Sequence, residues 1–233
     1  MKLNLGLGRV RKKVIAYQPL ISHYPLILNS IDIVGGINGV DTPNLTYPTS
    51  VFGNSPLFTG AEYINIGNNH DLGITDKSFS IWIYPTALNN YHAIFGKSAY
   101  GGYPNRYSLV INPNKKLELG CQTANTNTTL VSTTTIALDT PIQIFVTFNR
   151  ADGLMSLFVD GIKDNSMQHY IGTTEDFKSA YEFEIGAYQD NNGLAFTNLS
   201  LLGTASTLKI FNKVPIDAEI LNIYNTEKTQ LGV

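Results

Sequence analysis

The sequence predicts an all-β protein, and three observations support that class. Apolar and polar residues alternate with a period of two along most of the chain, as in strands with one buried face. Clusters of Gly, Asn, Asp and Pro separate these runs at short spacing. Charged residues make up only 15% of the 233 residues, while Asn (23) and Thr (22) are abundant. This composition favours strands and turns over surface helices, which are rich in Glu, Lys, Ala and Leu.

Seven runs, six of them alternating, define the strands that we predict. In YEFEIGAY, Tyr181, Phe183 and Ile185 point one way, whereas Glu182 and Glu184 point the other way, toward solvent. The short spacing of the runs is typical of a β-sandwich. In chain order, the runs are SFSIWIYP (78–85), RYSLVIN (106–112), KLELGC (116–121), QIFVTFN (143–149), LMSLFVD (154–160), YEFEIGAY (181–188) and STLKIFN (206–212).

The run LMSLFVDGIKDNS (154–166) has apolar side chains on both faces and then a tight turn. Leu157 and Phe158 are neighbours that point to opposite faces, so this strand should be covered from two sides. Asp160-Gly161 predicts a type I′ hairpin turn, because glycine tolerates the positive φ that this turn requires. A metal site, a sugar site or plain turn chemistry would each explain the acid at this position.

Only one helix is predicted, in PIDAEILNIY (215–224). Ile216, Ile220 and Ile223 recur there at helical spacing, and we expect the helix to pack at the edge of a sheet. Residues 227–233 are expected to form a tail. Trp82, in the middle of a strand, and Cys121, the single cysteine, are predicted to lie in the core. One cysteine excludes an internal disulfide and any site built from several cysteines.

Residues 1–18 form a basic arm that does not fit the strand pattern. No acid occurs before Asp32, and the net charge of the whole chain is −2, which excludes a field that gathers nucleic acid. The arm is either solvated or an anchor that docks on an acidic partner. No apolar run has the length of a signal peptide or a membrane span. The basic residues of the arm are Lys2, Arg9, Arg11, Lys12 and Lys13.

The ordered motifs resemble a laminin G-like, concanavalin A-like jelly roll of the kind common in bacterial and phage surface proteins. The resemblance covers Pro19 to Asn225 and implies one β-sandwich over 19–226. It also implies that the carboxylate of Asp160 accepts backbone hydrogen bonds in its turn. The motifs are HYPLILNSIDIVGGINGV, FTGAEYINIG, FSIWIYP, LFVDG, FEIGAY and GTASTLKIFNKVPIDAEILNIYN.

The resemblance makes Asp32 a candidate calcium ligand, but the second acid of the family is absent. Thr204-Ala205-Ser206 occupies its place, and Ca²⁺ prefers six to eight oxygen ligands with several carboxylates among them. The tryptophan that usually precedes the mid-chain strand is also replaced, by Pro141-Ile142-Gln143. We therefore expect no cofactor, with a weak calcium site at Asp32 as the exception.

The chain is predicted not to be an enzyme. Glycoside hydrolases on this fold need paired carboxyl groups, and the nearest string, Glu182-Phe183-Glu184, lacks their third acid. No Gly-x-Ser-x-Gly nucleophile motif occurs. The four histidines have no metal-ligand spacing; they are His23, His70, His92 and His169.

Two loop stretches have the composition of a glycan-binding surface, in which aromatic rings stack on sugars and polar groups bind hydroxyls. Solvated loops and oligomer contacts are the alternatives, because Tyr and Arg also anchor interfaces. Tyr100 or Tyr103 is the expected stacking platform. The candidates are Tyr91, His92, Tyr100, Tyr103 and Arg106 in the first stretch, and Tyr188, Asp190 and Asn191 in the second.

Three functions are compatible with these features. The first is a phage virion decoration or fibre protein at the virion surface, held to other virion proteins by the arm and contacting host glycans. The second is a bacterial carbohydrate-binding or adhesion domain outside the cell, and the third, opposed by the carboxylate pattern, is a glycosidase. We expect a homo-oligomer, for which a trimer is one candidate, without membrane insertion.

Overall fold

The computed structural model describes residues 20–98, 105–123, 126–169, 176–187 and 199–233. Within these residues the chain forms sixteen strands followed by one α-helix. They are β1 (Leu20–Tyr24), β2 (Val40–Asp41), β3 (Thr49–Ser50), β4 (Gly53–Asn54), β5 (Leu57–Thr59), β6 (Ile64–Asn65), β7 (Lys77–Pro85), β8 (His92–Lys97), β9 (Arg106–Ile111), β10 (Lys116–Gln122), β11 (Asn127–Thr135), β12 (Ile142–Asn149), β13 (Leu154–Val159), β14 (Ile162–Gln168), β15 (Glu184–Ile185), β16 (Leu202–Phe211) and α1 (Asp217–Leu231).

Two antiparallel sheets form a sandwich, which confirms the predicted fold class. The first sheet has the strand order β1-β16-β7-β12-β13-β14, with β5 paired to β16. The second has the order β11-β10-β9-β8-β15-β6-β2, and β3 and β4 form a separate hairpin. Hairpin pairing of consecutive strands, such as β12 with β13, is combined with pairing between strands that are distant in sequence, such as β7 and β16.

The core lies between the sheets and is built from the inward residues of the alternating strands. Phe79 of β7 contacts the rings of Phe95, Tyr107, Phe148 and Phe183, with centroids 5.2–6.4 Å apart. These rings come from both sheets, so a single aromatic cluster holds the two layers together. Cys121 is buried in the same core, as predicted.

Strand β13 is covered on both sides, as the sequence predicts. Leu157 faces the core between the sheets, whereas Phe158 packs in a second apolar cluster on the outer face of the first sheet. The following turn has positive φ at Asp160 (50°) and Gly161 (76°), as a type I′ turn requires. The carboxylate of Asp160 accepts a hydrogen bond from the backbone N–H of Gln143 at 2.9 Å, so plain turn chemistry explains this acid.

The C-terminal helix α1 is longer than predicted, and it lies over a sheet face and not at a sheet edge. It covers the outer face of the first sheet, where Ile220 and Ile223 pack on Phe145 and Phe211, instead of sitting at a sheet edge. It continues to Leu231, so most of the expected tail at 227–233 is helical. The physical reason is that β12, β13 and β16 carry large aromatic residues on their outward face, and burying these needs a covering element.

Polar groups also attach this helix to the sheet. The carboxylate of Glu227 is buried, accepts hydrogen bonds from Trp82 Nε1 (2.8 Å) and Gln143 Nε2 (2.7 Å), and pairs with Lys209 Nζ (2.7 Å). The Trp82 ring stacks on Tyr224 of the helix, with centroids 5.7 Å apart. Trp82 is therefore buried, as predicted, but beneath the helix and not between the sheets. Within the described residues, no helix has the length and apolar character of a membrane span.

Two local predictions are wrong. The sequence places His92–Lys97 in a binding loop, but these residues form the buried strand β8. The strand is covered on both faces, so its sequence lacks the alternation by which we identify strands. Glu184 was expected to face solvent but is only 1% exposed. Glu184 lies on the outer face of the second sheet. The alternation of the sequence predicts which face a side chain occupies, but it does not predict whether other residues cover that face.

Candidate functional site

The structure separates the residues predicted for the first binding stretch. Tyr91 is 38% exposed, whereas the ring of His92 is buried and its Nδ1 lies 2.9 Å from the carbonyl oxygen of Ser200. Arg106 is half-buried, and its Nε donates to Gln122 Oε1 at 2.8 Å. His92 is therefore a structural residue here, and Tyr91 is the more accessible of the described candidates. Tyr100, Tyr103, Tyr188, Asp190, Asn191 and the arm residues Lys2, Arg9, Arg11, Lys12 and Lys13 lie outside the described residues.

Asp32 organises a loop. Its Oδ1 accepts hydrogen bonds from the backbone N–H groups of His23, Val34 and Gly35 at 2.9–3.0 Å. These bonds hold the pKa of its carboxyl below the usual value, although burial acts in the opposite direction. No group of three His, Cys, Asp or Glu side chains suited to a metal ion occurs among the described residues. The proposed calcium ligand therefore has a structural role in the described chain.

The outer face of the second sheet carries a row of small and polar residues that runs across six strands. Ser108 lies opposite both Gly96 and Gly120, and further along the row Glu184 lies opposite Asn65. Gly96 and Glu184 in this row are buried, so the accessible part of the face lies toward the β2–β6 edge.

A groove of about 590 Å³ opens at the β2–β6 edge of this face. Tyr63 and Asn65 reach it because they flank Ile64, which points into the core. Val40, Pro43 and Ile66 add apolar surface, so the groove combines an aromatic ring, aliphatic groups and hydrogen-bonding groups. The lining residues are Asn38, Val40, Asp41, Thr42, Pro43, Tyr63, Asn65, Ile66, Gly67 and Glu182.

The polar groups of the groove are held in place by hydrogen bonds. Asn65 donates from Nδ2 to Glu182 Oε2 and accepts at Oδ1 from the Gly67 backbone N–H. Asp41 Oδ2 accepts from the Tyr47 hydroxyl at 2.9 Å. The site is therefore largely preorganised, which reduces the entropy lost when a ligand binds.

Carboxylates influence the titration of the two phenols at the groove. Burial raises the pKa of Tyr63, and the nearby carboxylates of Glu184 and Glu182 raise it further. Burial and the bond to Asp41 likewise raise the pKa of Tyr47. Both phenols are held neutral beside carboxylates, because a phenolate would be repelled there.

Sequence reasoning missed this groove. The one available signal was the alternation in AEYINIG, which places Tyr63 and Asn65 on the face opposite Ile64. Nothing local indicates that Asp41 and Glu182 join them. That proximity depends on the pairing of β2 with β6 and of β6 with β15.

Solved structures of similar fold include several sugar-binding domains. Domain 4 of AbnA, a GH43 extracellular arabinanase from Geobacillus stearothermophilus solved with arabinotriose, matches with a TM-score of 0.69 and 13% identity, over 88% of this chain and 98% of that one. The ligand-binding domain of botulinum neurotoxin serotype D in complex with N-acetylneuraminic acid matches with a TM-score of 0.64 and 17% identity, over 89% of this chain. The match spans about half of that domain, 51%.

A third similar structure is the CBM40 domain of a Ruminococcus gnavus IT-sialidase bound to α2,3-sialyllactose. Its TM-score is 0.55, with 12% identity over 68% of this chain and 92% of that one. At these identities the likeness concerns the fold alone. No curated protein sequence matches the chain. A family model does match, over residues 58–221, and the chain belongs to the concanavalin A-like lectin/glucanase superfamily.

Proposed function

We propose that this domain binds carbohydrate and does not cleave it. The observation that carries the proposal is the groove in which Tyr63 lies beside Asp41 and Glu182. An aromatic ring stacks on the apolar face of a sugar, and carboxylates accept hydrogen bonds from its hydroxyl groups. Similar folds that were solved with bound sugars support this proposal.

The absence of catalysis is part of the proposal. A glycoside hydrolase needs one carboxyl to act as an acid and a second to act as a base or nucleophile. In the groove, Asp41 Oδ2 is bonded to Tyr47 and its Oδ1 is shielded from solvent, while Glu182 is bonded to Asn65. Of the two acids, Glu182 is the one that can accept a hydrogen bond from a sugar hydroxyl, since the oxygens of Asp41 are bonded to Tyr47 or shielded. Incubation with a bound oligosaccharide should therefore release no new reducing ends.

A glycan array with variants of the full chain tests the binding proposal. Tyr63→Ala should weaken binding about two- to twelvefold, which corresponds to a stacking contribution of about 0.5–1.5 kcal/mol. Leu138→Ala is the control, since it removes an exposed apolar side chain outside the groove and outside both predicted stretches. Tyr103→Ala tests the competing stretch from Tyr91 to Arg106, for which we expect a tenfold loss of affinity if that stretch carries the site. Failure of the wild-type protein to bind any glycan would refute the proposal.

We further propose that the domain is displayed at a virion surface, with residues 1–18 as the anchor to other virion proteins. The observation that favours this setting is the charge of the N-terminal segment, in which five basic residues and no acid precede Asp32. A bacterial adhesion domain at the cell surface is the alternative. Mass spectrometry of purified virions distinguishes the two settings, and light scattering measures whether the protein is the expected homo-oligomer.

A further inference from the structure

We infer that Lys97 and Asn68 react with each other to form an isopeptide bond, with Asp71 as the proton carrier. The new bond joins Nζ of Lys97 to Cγ of Asn68, and ammonia is released. This modification is independent of the proposed glycan binding. It is indicated by the contacts of one buried lysine.

The amine, the carboxamide and the acid that such a reaction needs meet at the end of β8. The side chain of Lys97 is completely buried, and its Nζ lies 2.8 Å from Asp71 Oδ1. The same Nζ donates a hydrogen bond to Asn68 Oδ1 at 2.5 Å. Lysine is almost never fully buried unless it is paired. The nucleophile, the electrophile and the base are therefore already assembled in the folded chain.

The two atoms that would be joined are within reach of each other. A C=O bond is about 1.2 Å long, so Nζ of Lys97 lies at most about 3.7 Å from Cγ of Asn68. Reacting atoms in a productive arrangement are about 3–3.5 Å apart. The last side-chain torsion of asparagine is broad, so the Asn68 amide can turn the face of its carbonyl group toward Nζ.

The surroundings of Lys97 favour its reactive form. Burial lowers the pKa of Lys97, although the carboxylates of Asp71 and Glu182 act in the opposite direction. The neutral amine is the nucleophile, and desolvation makes that form easier to reach. Asp71 Oδ1 also accepts a hydrogen bond from the backbone N–H of Ser179 at 3.0 Å, which fixes the carboxylate beside Nζ. A base at this distance can accept a proton directly.

Atoms and protons balance without an oxidant or a cofactor. Asp71 accepts one proton from the Lys97 ammonium group, and the neutral Nζ attacks Cγ of Asn68. The Nζ–Cγ bond forms, a second Nζ proton passes to Nδ2, and the Cγ–Nδ2 bond breaks. Asp71 returns its proton to the departing ammonia, so an ammonium ion leaves and the carboxylate is restored. Asn68 is exposed, so the ammonium ion escapes to solvent and the reverse reaction is suppressed.

A second lysine provides an internal comparison. Lys77 is also buried, and its Nζ donates to Asn212 Oδ1 at 2.7 Å. None of the ion pairs among the described residues involves Lys77. This pair therefore has an amine and a carboxamide in contact but no carboxylate to carry the proton. We expect Lys77 to remain unmodified.

The isopeptide bond would link two strands that are not neighbours. Asn68 follows β6, Lys97 ends β8, and β15 lies between these strands in the second sheet. The two residues are 29 positions apart, so the bond closes a loop of that length. Such a cross-link restricts the unfolded chain as a disulfide does, and we expect it to raise Tm by about 7–14 °C.

Intact mass spectrometry of the purified full chain tests the inference. The folded wild-type protein should be lighter than its sequence mass by one ammonia. Fragmentation of proteolytic peptides should place the cross-link between Asn68 and Lys97 and leave Asn212 and Lys77 unlinked. Asn68→Ala and Lys97→Met should each have the full sequence mass. Lys77→Met is the matched control, because it removes a buried lysine in contact with an asparagine and should retain the loss of ammonia.

Three results would overturn the inference. The first is a folded wild-type chain that keeps its full sequence mass after overnight incubation. The second is a loss of one water, since the bond would then be to Asp71. The third is a loss of ammonia that persists in Asn68→Ala or in Lys97→Met. Asn68 is exposed, so Asn68→Ala remains a valid test if Lys97→Met does not fold. Its Tm should lie about 7–14 °C below that of the wild type.

Discussion

Replacing Glu227 with alanine should detach the C-terminal helix and strongly destabilise the sandwich. The Glu227 side chain is 2% exposed, and its carboxylate serves three donors at once: Trp82 Nε1, Gln143 Nε2 and Lys209 Nζ, all at 2.7–2.8 Å. Glu227→Ala leaves all three donors beneath the helix without this acceptor. Lys209 is the most costly of them, because its side chain is only 16% exposed and would lose its ionic partner.

The expected loss is about 3–5 kcal/mol in the free energy of unfolding, the range for breaking a buried ion pair from one side. For a domain of this size, 1 kcal/mol lowers Tm by about 2–4 °C, so Tm should fall by about 6–20 °C. Glu227→Gln retains an acceptor but removes the charge, and we expect a smaller loss of about 1–3 kcal/mol. The difference between the two variants measures how much of the effect is ionic.

Urea unfolding followed by two probes checks this prediction. Trp82 is the single tryptophan and lies in the helix interface, so its fluorescence reports helix docking, while far-UV circular dichroism reports the sheets. In Glu227→Ala, the fluorescence transition should move to lower urea and precede the circular dichroism transition. Asp217→Asn is the control: its pair with Lys163 is exposed and should contribute at most about 1 kcal/mol. A loss below 1 kcal/mol for Glu227→Ala would refute the reasoning.

Three further predictions concern the sandwich. Burial lowers the pKa of His70 to about 4, so as the pH falls the unfolded state takes up the histidine proton before the folded state does. The free energy of unfolding should therefore fall by up to about 3 kcal/mol between pH 6.5 and pH 4. A His70→Gln variant with the same pH profile would contradict this. Gly203→Ala should cost about 2–4 kcal/mol in chemical denaturation, because φ is 138° there and the new Cβ would lie 2.1 Å from the carbonyl oxygen of Tyr84. Asp164→Ala should cost about 1–3 kcal/mol, since its carboxylate accepts two backbone N–H groups of β11 at 2.6 and 2.8 Å; unchanged thermal unfolding would show that this contact between the sheets is not needed.

The class of fold could be predicted from the sequence because strand alternation and turn chemistry are local. Phe79, Ile81 and Ile83 face the core between the sheets at every second position, as they alternate in the sequence. The Asp160-Gly161 turn needs only its own two residues to adopt positive φ. The burial of Cys121 followed from its place on the inward face of such a strand, whereas Trp82 points outward and is buried because the helix covers it. None of these features depends on which strands are neighbours.

Only the tertiary structure decided which faces are covered and which residues meet. Alternation placed Glu184 on an outward face, but its burial depends on what lies over that face. The outer aromatic residues of the first sheet required a cover, and the long helix supplies it. The groove could not be predicted from the sequence either, because Asp41, Tyr63 and Glu182 come together only through the pairing of β2, β6 and β15. A periodic pattern specifies the direction of a side chain, whereas contacts between distant residues depend on strand order and register, which no local pattern encodes.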